Sequence, residues 1–187
     1  GVETLRFDDG DITVSLDANG LVLTGDTIGD DITIVGSVPV TVVSADGDDN
    51  IVGGFGNDII DGNAGDDAIT GGDGDDTITA GSGHDTVDGG YGDDSITSGA
   101  DNDTIDGGYG DDTIDAGSGD DTVYGDDGND TITSGSGADT IDGGDGNDTI
   151  NAGSGDDLIN GGFGDDAISG GAGDDIVYGD DGSDTIT

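Results

Sequence analysis

Residues 107–133 read GGYGDDTIDAGSGDDTVYGDDGNDTIT, three successive nonapeptides in one frame: Asp112, Asp121 and Asp130 stand sixth, and Ile114, Val123 and Ile132 stand eighth. Carried outward, the frame holds without insertion or deletion from Ser44 to Thr187, which is 16 units. The sixth position is Asp and the eighth Ile or Val in every unit. The fourth is Gly except at Asp101, and the first is always Gly, Ala or Ser. Such a repeat decides the architecture before any one segment is read, because each unit is a piece of a stack and cannot bury its apolar face alone.

Within a unit, a segment such as Thr113-Ile114-Asp115 alternates outward, inward, outward as a strand, so the eighth residue faces a core. The Gly-rich remainder reads as turn, because Gly favours positive φ and loses much entropy in regular structure. Each unit is therefore expected to be a six-residue turn followed by a three-residue strand. The third position repeats over two units. One set is Asp46, Ala64, Ser82, Ala100, Ser118, Ser136, Ser154 and Ala172; the other is Phe55, Asp73, Tyr91, Tyr109, Asp127, Asp145, Phe163 and Asp181. One edge is small and the other aromatic and acidic, as a coil built from a pair of nonapeptides requires.

The chain has 187 residues, 43 Gly, no Cys and a formal net charge of -45, with 46 acidic residues against a single basic one, Arg6. Ile, Val, Leu and Phe make up about a fifth of it, a content that in random order leaves a chain disordered. Their strict placement opposes that outcome. So little positive charge excludes nucleic acid and anionic membrane surfaces as partners; a polycation or many small cations would complement it. No apolar run approaches the roughly 18 residues that span a bilayer, so no membrane insertion is expected. No basic-plus-apolar leader opens the sequence, which suits a soluble, processed or trimmed product. The lack of Cys fits an extracellular bacterial protein without disulfides.

Units such as GGFGNDIID (53–61) and GGYGDDTID (107–115) resemble the G-G-x-G-x-D-x-U-x repeat of the RTX (repeats-in-toxin) proteins. The resemblance covers about three quarters of the chain. It implies an all-β fold, a right-handed parallel β-roll or β-helix solenoid of 18-residue coils, with calcium held by the turns. It also implies type I export and folding on meeting extracellular calcium.

The sixth-position Asp residues carry the chemistry. On coils about 4.8 Å apart they form two columns. One is Asp58, Asp76, Asp94, Asp112, Asp130, Asp148, Asp166 and Asp184; the other is Asp49, Asp67, Asp85, Asp103, Asp121, Asp139, Asp157 and Asp175, with Asp31 as a candidate first member because it lies two repeat lengths before Asp49. Bare carboxylates at this spacing repel by about 1 kcal/mol in water and several-fold more at lower effective dielectric. A cation between turns reverses the sign. Carboxylates with backbone carbonyls are hard oxygen ligands that suit Ca2+, which takes six to eight of them, better than Mg2+ or metals that seek thiolate or imidazole. About 15 ions would fill the intervals of the two columns. An EF-hand is excluded, since its loop ends on a Glu and none follows Glu3. Fifth-position residues such as Asp111 and Asp120 are expected to be solvated, and the sites beside Asp101 to be weakest.

Residues 1–43 are expected to form an irregular, degenerate β cap with a first coil, and 44–187 the calcium-binding roll. ITVSL and LVLT flank the hairpin signal Asp17-Ala18-Asn19-Gly20, Pro39 suits the edge of the cap, and Val40 replaces Asp at two repeat lengths before Asp58. The other end stops on a complete nonapeptide, which predicts an open coil: either a piece of a longer parent chain or a face for end-to-end self-association.

No catalytic constellation is present, and His84, the only histidine, sits at a variable turn position. The expectation is therefore not an enzyme but a structural module of a secreted or cell-surface bacterial protein, such as an adhesin, S-layer or toxin extension, acting as spacer, scaffold or assembly element. Two other readings stay open: polysaccharide binding along the edge of Phe55, Tyr91, Tyr109 and Phe163, and ice binding through Thr-x-Thr strands (Thr77 and Thr79, Thr131 and Thr133, Thr185 and Thr187).

Overall fold

The computed structural model describes residues 4–7, 13–16 and 21–187. Among them there are 21 strands and no helix. From the third strand onward, successive strands alternate between a 10-stranded and an 11-stranded sheet, so that in the repeat each strand pairs in parallel with the strand two places later. Thus β12 (Thr104–Tyr109) sits between β10 (Thr86–Tyr91) and β14 (Thr122–Asp127), and β13 (Thr113–Ser118) between β11 (Ser95–Ala100) and β15 (Thr131–Ser136). The register is one pair of nonapeptides, as in Ile96↔Ile114 and Ile114↔Ile132. The chain is a parallel β-solenoid.

The core is what the period demands. Position-eight residues from both sheets, from Ile51 to Ile168, are at most 2% exposed and face each other as two rows. Each coil adds one rung from each sheet, so the core is long and thin, and stability is the sum of neighbouring rungs. The last coil is less covered: Val177 is partly buried and Ile186 is 50% exposed.

The strands are longer than the sequence suggests. From Asn50 to Phe163 each runs for six residues, from position seven through position three of the next unit, as in Thr113–Ser118. The reason is that position one also points inward: Ala116 is fully buried next to Ile114, so the strand alternation continues through it. The following Gly117 has φ of +95 and still pairs with Gly99. A Cβ on Gly117 would collide with the carbonyl oxygen of Gly99. Glycine there lets the strand bend while the coils keep close contact. The turn shrinks to positions four to six.

At the beginning, β1 (Thr4–Phe7) pairs antiparallel with β4 (Asp31–Val35), and β2 (Thr13–Leu16) antiparallel with β3 (Leu21–Thr24). The turn residues expected between these last two, Asp17 to Gly20, lie outside the described residues. From β3 and β4 onward pairing is parallel, with β5 (Val40–Val43) and β6 (Asn50–Phe55) next in each sheet. The first coil contains one additional residue: Leu21 pairs with Val40 and Asp31 with Asn50, 19 apart, whereas Thr41 pairs with Ile59, 18 apart. The extra residue falls in the connection between β4 and β5, which carries Pro39.

Candidate metal centre

The position-six side chains fold inward. From Asp49 to Asp166 every one is at most 2% exposed. Each has the same half-made arrangement: Oδ1 accepts the backbone N–H of the position-six residue one coil earlier. Asp58 donates to Asp76, Asp76 to Asp94 and Asp94 to Asp112, each at 2.7 Å. In the other column Asp85 donates to Asp103 and Asp103 to Asp121, both at 2.9 Å. Oδ2 of each carboxylate from Asp49 to Asp166 is buried with no hydrogen-bond partner. A buried carboxylate with one donor and no countercharge is costly.

Burial therefore pushes these acids up, against the relief from the amide. Asp58, Asp67, Asp94 and Asp130 rise to about 7, with neighbouring Asp residues of the same column adding to the rise. Asp76, Asp85, Asp112, Asp121 and Asp148 rise to about 6 for the same leading reason. Asp103 and Asp157 are also raised, chiefly by burial.

One expected member is misplaced. Asp31 is exposed and opens β4 opposite Asn50, while Asp30 is buried and donates its N–H to Oδ1 of Asp49 at 2.6 Å. The extra residue of the first coil shifts the register by one, so Asp30 heads that column. The other column begins at Asp58, whose Oδ1 takes the N–H of Val40 at 2.9 Å. At the far end Asp175 and Asp184 keep the amide contact at 3.1 Å and are only partly buried.

Position five makes a second ladder of opposite direction. Here the side chain accepts from the following coil: Oδ1 of Asp111 takes the N–H of Asn129 at 2.8 Å, and Oδ1 of Asp120 that of Ala138 at 2.8 Å. Asp111 and Asp120 are thus exposed yet tied, rather than simply solvated, and Asn129 holds the Asp111 carboxyl below its usual range. His84 belongs to the same ladder. Its amide donates to Asp66 at 2.8 Å, and the amide of Asn102 donates to its Nδ1 at 3.2 Å. This outer ladder accepts Asn57, His84, Asn102, Asn129, Asn147 and Ser183 in place of Asp, and even Ala138, which has no acceptor to offer. The inner ladder is Asp in all 16 units, although Asn would satisfy the same amide. The inner position keeps its charge in every unit.

Two observations fit a hard cation. The orphan oxygens are anionic. They converge with main-chain oxygens: a Cβ on Gly107 would lie 2.6 Å from Oδ2 of Asp112 and 3.0 Å from the carbonyl oxygen of Gly125. Among the described residues no three Asp, Glu, His or Cys side chains cluster as a metal group; a cation held here would draw on backbone carbonyls as well as carboxylates, a mixture Ca2+ accepts.

The sequence matches the RTX calcium-binding nonapeptide repeat (4 copies) in overlapping stretches: 44–78, 70–105, 88–123, 97–132, 106–141, 124–159, 133–168 and 151–186. The chain belongs to the RTX calcium-binding repeat family. No curated protein matches it. As an RTX roll it is a calcium-binding module, and its repeats are not those of an enzyme family. No helix among the described residues is long and apolar enough to cross a membrane.

Two features escaped sequence reasoning. Position two takes positive φ even where it is not Gly, at Ala45, Asn63, Asp126 and Asp180; the signal was the near-constant Gly of the other units. The outer face of the 10-stranded sheet also carries Tyr124 and Tyr178 at position nine, apart from the position-three edge where Tyr91 and Tyr109 stack at 4.7 Å. On the opposite sheet the Thr-x-Thr strands are not adjacent: β11, with Ser95 and Thr97, and β13, with Thr113 and Asp115, separate β9 (Thr77–Ser82) from β15.

Proposed function

We propose that this chain is a structural module of a secreted or cell-surface bacterial RTX protein, folding on extracellular calcium and serving as spacer, scaffold or assembly element. The observation that carries the reading is the column of buried, half-satisfied carboxylates in which charge is never replaced. Asp49, Asp58, Asp67, Asp76, Asp85, Asp94, Asp103, Asp112, Asp121, Asp130, Asp139, Asp148, Asp157, Asp166, Asp175 and Asp184 are the proposed carboxylate ligands, joined by Asp30 at the head of one column. Calcium supplies the countercharge that the burial of these groups lacks. Backbone carbonyls of the turns complete its shell.

Because an ion binds the folded turns and not the open chain, binding free energy is folding free energy. In the calcium-poor cytoplasm the chain stays extended and self-repelling, and outside it condenses. Calcium titration followed by circular dichroism tests this. A cooperative gain of β signal at millimolar calcium, reversed by chelator, is expected; full β signal in excess chelator at neutral pH would overturn it. Ion counting by native mass spectrometry should give about 15, one for each interval of the columns.

A further inference from the structure

The outer face of the 10-stranded sheet holds a groove that the calcium turns do not use. Its two ends are copies of one motif, Val123-Tyr124-Gly125-Asp126-Asp127 and Val177-Tyr178-Gly179-Asp180-Asp181. β14 and β20 (Ile176–Tyr178) are separated in the sheet by β16 (Thr140–Asp145) and β18 (Leu158–Phe163). Register carries Tyr124 to Asp142, Asp142 to Asn160 and Asn160 to Tyr178. Three strand steps put the two tyrosines about 14 Å apart along the roll. Between Asp126 and Asp180, position two is Gly144 and Gly162, which have no side chain. The result is a hollow of about 480 Å³ over Asp142, Asn160 and Asp180, continuing into one of about 400 Å³ between the tyrosines.

The unmet groups in this groove are acceptors. Oδ1 of Asn160 is buried with no hydrogen-bond partner. Asp142 is held above its usual range by burial and by the charges of Asp126 and Asp180. Both tyrosines are solvent-accessible, Tyr124 at 39% and Tyr178 at 54%. A sugar brings acceptors as well as donors and neutralises nothing. A single metal ion needs ligands converging on one point, whereas Asp142, Asn160 and Asp180 are spread over β16, β18 and the segment that follows β20. An ammonium group is donor-only, cancels carboxylate repulsion and is attracted to a tyrosine face.

We propose that the groove between Tyr124 and Tyr178 binds a linear aliphatic polyamine, with ammonium groups at Asp142, Asn160 and Asp180 and the terminal tyrosines closing the two ends. The groove uses side chains other than those of the position-six columns; Asp142 acts on the charge of Asp148, so Tyr178→Ala, which leaves every carboxylate in place, is the variant that separates the proposal from calcium-coupled folding.

The test titrates spermidine into the calcium-saturated full chain at physiological ionic strength, where diffuse attraction is screened beyond about 8 Å, with heat and tyrosine fluorescence as readouts. One saturable site is expected. Tyr178→Ala and Asp142→Asn should each weaken it at least tenfold, and Tyr91→Ala, on the same sheet outside the groove, should not. The calcium midpoint of each variant, followed by circular dichroism, shows that it folds. Non-saturating binding of equal strength in all four proteins would overturn the proposal as diffuse polyanion attraction. So would a neutral trisaccharide that binds in a Tyr178-dependent way while spermidine does not.

Discussion

The amide of Asp94 donates to Oδ1 of Asp112 at 2.7 Å, and the second oxygen of the same carboxylate is buried with no hydrogen-bond partner. One oxygen ties two coils together and the other is left without a hydrogen-bond partner. Beside it Asp111 reaches the opposite way, to Asn129. The Asp-Asp pair thus clamps a coil to both neighbours, but only the inner member carries an unmet charge.

Exchange of the two acids separates these roles. Asp112→Asn keeps an acceptor for the Asp94 amide and removes the charge. It should lower stability in calcium by on the order of 2 kcal/mol, the worth of a charged contact, and raise the calcium midpoint. In chelator its sign should reverse, because a buried unpaired charge is gone. Asp111→Asn, on the exposed ladder, should leave both nearly unchanged. Calcium titrations of the two variants by circular dichroism are the check.

Proton and calcium should compete. The inner carboxylates rise from the ordinary 3.8 to about 6 or 7 in the metal-free roll, as at Asp112 and Asp94. A raised acid binds its proton more tightly when folded, so it favours folding below the unfolded value and loses that contribution as pH climbs through the folded one. In chelator, β signal should therefore be greatest near pH 4 and fall by about pH 7. With calcium the direction inverts, since the ion needs the ionised form, and binding should release protons. Potentiometric calcium titration at two pH values measures that release.

Asp101 stands where the other units have Gly, with φ of +76. A left-handed conformation costs a non-Gly residue about 1–2 kcal/mol. Asp101→Gly should raise the thermal midpoint of the calcium form and tighten the turns on either side. No change in either would remove this turn as the weak point of the roll.

Core and contact changes should be costlier. Ile114→Ala removes a rung that is 1% exposed and should cost about 2–5 kcal/mol. Gly117→Ala should be comparably disruptive without touching the core, because its Cβ meets the Gly99 carbonyl and its φ is +95. Thermal unfolding in saturating calcium compares them.

Much of this was legible in the nonapeptide alone. Sixteen inward Ile or Val residues, a small first position and a period of two units pointed to a parallel stack of two-unit coils, because such a stack buries the one apolar residue that each nonapeptide offers. The invariant sixth Asp likewise located two columns of stacked carboxylates. Pairing between coils decided the rest. Residues 21–43 lack the repeat that would reveal an inserted residue, and only the Asp31↔Asn50 register shows that Asp30, not Asp31, enters the column. The Gly-rich positions looked like pure turn because local propensity is blind to the ladder that holds Gly99 beside Gly117. Which carboxylate oxygen meets an amide, which is left bare, and how Tyr124 and Tyr178 come to face one groove depend on atoms a full coil or more apart along the chain. Such contacts exist only once the coils are stacked, so the sequence determined the period and its chemistry, and the tertiary structure decided the register and the direction in which each charge points.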